Sequence, residues 1–102
     1  MIKEVKTITP DEAAKILETN IHNRPISRTM VKMMESDIIT GNMSADNAKF
    51  ALNPDGTLYA GQHILAAIVS AGIDTEVEIW KLEKENEIPR ASVSASSKYH
   101  YM

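Results

Sequence analysis

The chain is predicted to fold as one small α+β domain, with a small mixed sheet and about three helices, and three observations predict it. Its 102 residues, 43% of them hydrophobic, suffice for a single modest core. Segments with strand-like alternation and segments with helical spacing follow one another in mixed order. Helix starts and stops are marked by caps, a proline and glycines.

Taken in order, residues 2–8 alternate imperfectly and are expected to form a first strand. Thr9-Pro10-Asp11-Glu12 reads as a helix start, with Thr9 as N-cap, Pro10 in the first helical position and Glu12 closing a capping box. That helix should reach about Thr19 with Ala13, Ile16 and Leu17 inward. Residues 20–25 are polar, end in Pro25 and read as a loop. Ser27 caps a second helix that runs to Thr40 and stops at Gly41, with Met30, Val31, Met34 and Ile38 on one face. A polar connection, residues 42–47, follows. Phe50 and Leu52 mark a short strand, Asn53-Pro54-Asp55-Gly56 a type I turn, and Leu58-Tyr59 the return strand. The third helix, about Gly61 to Ala71, is apolar on most sides and should be mostly buried, with Gly72 ending it. Thr75 to Leu82 alternates as a strand, Val77 and Ile79 on one face and Glu76, Glu78 and Trp80 on the other. The charged residues 83–90 form a connector. The domain is expected to span residues 1–90, with 91–102 as a tail, flexible or adding an edge element.

Composition narrows the function. A formal net charge of −3, with no basic run, disfavours direct binding to duplex DNA without a local basic patch. The absence of cysteine excludes disulfides, thiol catalysis and thiolate metal sites. His22, His63 and His100 lie too far apart in sequence for metal-ligand spacing, so no metal is expected. No apolar run approaches the ~18–20 residues of a membrane span, and residues 1–6 lack a signal-peptide core. The expected location is cytoplasmic, with no membrane partner.

The most informative segment is Gly56 to Ala67, where a turn, a short strand, a glycine and two polar side chains precede an apolar helix. That order puts Gly61, Gln62 and His63 at a helix N-terminus, where free N–H groups and the helix dipole favour an anion. The plainer reading is cap geometry, with Gly61 allowing close approach and His63 satisfied locally. His22 and Arg24 are candidates to add positive charge from across a cleft; alternatively Arg24 pins its own loop to a carboxylate or helix end.

His22-Asn23-Arg24-Pro25, the helix ending at Gly41, the turn Asn53–Gly56 and Gly61-Gln62-His63 followed by Leu65-Ala66-Ala67 occur in that order. Together they resemble the small phage and prophage proteins related to the ParB N-terminal domain, a fold shared with sulfiredoxin, over roughly residues 8–82. The resemblance implies a ParB N-terminal/sulfiredoxin-like fold, and a phage protein would sit in the host bacterial cytoplasm. In that superfamily the glycine, a polar residue, often histidine, and an arginine at this helix start contact nucleotide phosphates. Here the expected arginine is Ile64 and the expected acidic or amide residue is Ala60. The missing arginine removes a bidentate donor worth about 1.5–3 kcal/mol. The sulfiredoxin cysteine is absent too.

The expectation is therefore a non-catalytic module that binds a nucleotide or other phosphate-bearing ligand at Gly61, Gln62 and His63, with Arg24 and His22 assisting; no other cofactor is implied. The alternative is a protein-binding inhibitor of a host factor, of anti-defence or anti-CRISPR type, on a degenerate ParB-like fold. Two residues are candidate partner contacts. Trp80 lies opposite Val77 and Ile79 in the alternation; either a tail or helix covers it, together with Leu82 of like parity, or it anchors a partner. Met33 lies off the main apolar stripe of its helix and offers an adaptable contact.

Overall fold

The computed structural model describes residues 1–20 and 25–93. Strand β1 (Ile2–Ile8) leads through Thr9 into helix α1 (Pro10–Leu17). The capping box forms as expected. Thr9 Oγ1 accepts from the Glu12 N–H at 3.1 Å, and the Thr9 N–H donates to Glu12 Oε1 at 2.9 Å. That bond, chiefly, holds the Glu12 carboxyl below the usual range. α1 closes at Leu17, short of Thr19, because Thr19 and Asn20 donate to carbonyls three residues back and tighten the last turn.

Helix α2 (Arg28–Ile39) starts at Ser27, whose hydroxyl accepts from the Met30 N–H, and ends before Gly41 at φ +77°. The connection after it is not plain loop: Ala45–Asn47 winds into one 3₁₀ turn. Strands β2 (Lys49–Leu52) and β3 (Leu58–Ala60) flank the expected turn, closed by the Gly56 N–H to the Asn53 carbonyl at 2.9 Å. Helix α3 (Gln62–Ala71) stops at Gly72, and strand β4 (Thr75–Lys81) follows. A second 3₁₀ turn covers Arg90–Val93.

The four strands form one mixed sheet in the order β1-β4-β2-β3. β4 is antiparallel to β1 and parallel to β2; β2 and β3 are antiparallel, with a register shift at Ala51/Leu52. Pairing Phe50 with Ile79 and Ala51 with Trp80 sorts the side chains onto two faces. Ile8, Phe50, Leu58, Val77 and Ile79 join the core that all three helices cover, and α3 packs against both α1 and α2. On the other face, Ala51, Tyr59, Ala60, Trp80 and Leu82 form a smaller buried group with Val93. The packed body thus runs on through Val93. Among the described residues, no helix is long and apolar enough to cross a membrane.

Candidate functional site

Gly61 enters α3 at φ +105°, a left-handed conformation that side chains disfavour. Space forbids a side chain as well: a Cβ there would lie 2.5 Å from the Phe50 Cβ and 2.8 Å from the Lys49 carbonyl oxygen. The glycine is therefore required by the approach of α3 to β2. Gln62 is buried at 6% exposure and has a partner.

His63 is half-buried, and its Nε2 accepts the backbone N–H of Ser27 at 2.9 Å. A nitrogen that accepts carries no proton, so this bond requires the neutral ring with its proton on Nδ1. Ser27 is the N-cap of α2, so a single hydrogen bond spanning 36 residues of sequence ties together the starts of α2 and α3. Both helix dipoles present their positive ends near this junction.

The neighbours of the motif face inward. Ile64 is 2% exposed inside the helix-covered core, and Ala60 is buried in the outer-face group. Neither position offers a polar group to a ligand. His22 and Arg24, the candidate cationic contributors, lie outside the described residues, as do His100 and the tail beyond Val93. Among the described residues, no cluster of three His, Cys, Asp or Glu side chains converges on one point, and no buried side-chain polar atom lacks a partner.

Trp80 lies on the outer face, as its parity implies, at 9% exposure. Its Nε1–H donates to Glu78 Oε2 at 2.6 Å, while the ammonium groups of Lys3 and Lys49 lie 4.4 and 5.4 Å from the ring centroid. Its cover is thus two lysine side chains, with Leu82 and Val93 packed in the same buried group. Met33 is half-buried against the helix-side core.

A cleft of about 460 Å³ opens elsewhere, at the β2–β3 turn, between Thr19, Asn53, Asp55, Tyr59, Glu85 and Arg90 among others. Gly61, Gln62 and His63 do not line it. At its edge the Arg90 guanidinium sits 4.6 Å over the Tyr59 ring and its Nε donates to the Tyr59 carbonyl at 3.1 Å. Inside the turn, the Thr57 hydroxyl and then the Thr57 N–H hold the Asp55 carboxyl below its usual range. Sequence reading missed the Tyr59–Arg90 stack and the Ser27–His63 bond. Both join residues at least thirty positions apart, and no local pattern signals them. Compared with known proteins, the chain matches no family model, no curated protein and no solved structure.

Proposed function

We propose that the chain is a small, non-catalytic module of the ParB N-terminal type that binds a phosphate-bearing ligand, a nucleotide first among candidates, where α2 and α3 begin. The observation that carries this reading is the Ser27–His63 hydrogen bond, which joins two helix starts into one electropositive corner. The sequence segment holding His22 and Arg24 leads directly into that corner through Pro25, Ile26 and Ser27. Because His63 Nε2 is an acceptor already in use, its role is to fix the corner. Backbone N–H groups and the Arg24 guanidinium are the groups left to meet phosphate oxygens. Ile64 and Ala60 stand where the resemblance expects an arginine and an acidic or amide residue, which is why the module is read as non-catalytic.

Isothermal titration with inorganic phosphate and a panel of nucleotides, cyclic ones included, tests the reading. Saturable heat with at least one nucleotide is expected, weakened about ten- to a hundredfold in Arg24→Ala, the loss of one charge-assisted contact. No heat with any of them overturns the proposal.

The alternative, a protein-binding inhibitor of a host factor, is favoured by the local satisfaction of the same residues. Phe50 accounts for Gly61 and Ser27 accounts for the His63 acceptor without any ligand. Under that reading nucleotides give no heat, and a pull-down from bacterial lysate recovers a stoichiometric partner.

A further inference from the structure

We infer that β1 pairs with β1 of a second copy of this chain, in one antiparallel register, joining two four-stranded sheets into a single sheet. β1 is an edge strand seven residues long, and Ile2 through Thr7 are all exposed. Ile2 and Val5 keep more than half of their surface open, at 57% and 54%. Among the described residues, nothing pairs with the outer edge of this strand. Such an edge carries a row of backbone donors and acceptors able to take another strand.

Lysines on an edge normally block that pairing. Here Lys3 and Lys6 are interleaved with Glu4, and the order of charges selects one partner strand. When two β1 strands run antiparallel about a two-fold axis at Val5, Glu4 lies opposite Lys6 of the second copy, and Lys6 opposite its Glu4. Val5 then meets Val5, Lys3 meets Thr7, and Ile2 falls opposite Ile8. A slip of two residues one way sets Glu4 against Glu4, and the other way Lys6 against Lys6. The adjacent odd registers either oppose Lys3 to Lys6 or leave Glu4 without a cation. Directly opposed charges of like sign destabilise a strand pair and opposite charges stabilise it. Every odd register, including the one that sets Lys3 against Glu4, faces side chains of opposite sheet faces and admits no two-fold axis, so among two-fold registers only the Val5-centred one opposes unlike charges. Lys81 Nζ already contacts Glu4 Oε1 at 3.1 Å from the β4 side, yet the Glu4 side chain remains 45% exposed, open to the second copy's Lys6. One strand pair buries less than a standard interface, so the dimer is weak and concentration-dependent.

Sedimentation equilibrium of the wild-type chain and of Glu4→Lys and Lys6→Glu variants tests this. The wild type should dimerise reversibly. Each single variant places like charges opposite one another twice, raising the dissociation constant about tenfold or more. Mixed one to one, the two variants are complementary and should form the dimer again. A wild type that stays monomeric up to about 1 mM overturns the proposal. So does a dimer that both variants retain, or a mixture that fails to recover it. If either variant does not fold by circular dichroism, amide exchange on the wild type decides the question. Protection of outward-facing β1 amides must rise with protein concentration, and unchanged protection overturns the pairing.

Discussion

The two faces of the sheet come from the same alternating strands, yet they are covered in different ways. On the inner face, Phe50, Val77 and Ile79 meet three helices and are almost wholly dry. On the outer face, Trp80 and Leu82 share a buried group with Val93 of a short 3₁₀ turn, and the Lys3 and Lys49 ammonium groups lie over the Trp80 ring. Helices seal one face with whole apolar stripes. The other is sealed piecemeal, in part by two lysine ammonium groups set over the Trp80 ring. Ile2 through Thr7 of β1 stay exposed beyond these covers, and the inferred pairing with a second copy uses that exposure.

Substitutions can break this comparison at different depths. The largest effect should come from Phe50→Ala, which leaves a cavity in the helix-covered core and should cost about 3–5 kcal/mol in urea unfolding. Gly61→Ala attacks the same contact from the helix side, with backbone strain added to overlap with Phe50, and should cost about 3 kcal/mol. On the outer face, Val93→Ala should cost about 2 kcal/mol, and near-ultraviolet circular dichroism should report a change around Trp80. A Val93→Ala loss equal to that of Phe50→Ala would show that the outer group is as essential as the main core. Gly72→Ala, at φ +67° within the left-handed α region and with open space around its Cβ, should cost only about 1 kcal/mol. The difference between the two glycine variants measures the harsher φ of Gly61 together with its overlap with Phe50 and the Lys49 carbonyl.

The smallest effect concerns pH. The Asp55 carboxyl is held below its ordinary value by Thr57, so its contribution is present above the unfolded-state pKa and is lost as pH falls through the lower folded-state value. Asp55→Asn removes that contribution at every pH. Its melting temperature should therefore fall less than that of the wild type between about pH 7 and about pH 3.

Much of the fold was legible in local sequence. The Thr9 capping box, the Asn53–Gly56 turn, the glycines after α2 and α3 and the parity of Val77, Ile79, Trp80 and Leu82 all rest on neighbours within four residues or on the period-two pattern of a strand. Of the candidate site, the helix start was legible in the sequence and the side-chain partners were not. Gly61, Gln62 and His63 stand at a helix start as their order implied. That His63 would spend its acceptor on Ser27, and that Ile64 would face the core, depended on where a distant helix came to lie.

By itself, then, the sequence determined which segments become helices and strands, where they stop, and which side chains of a strand share a face, because hydrogen bonds and sterics within a few residues fix these. Tertiary structure alone decided the strand order β1-β4-β2-β3, the closure of the outer face by Val93, the contact that makes Gly61 obligatory and the bare edge of β1. Those depend on which surfaces meet after collapse, and burying apolar area is an attraction without direction that local pattern does not encode.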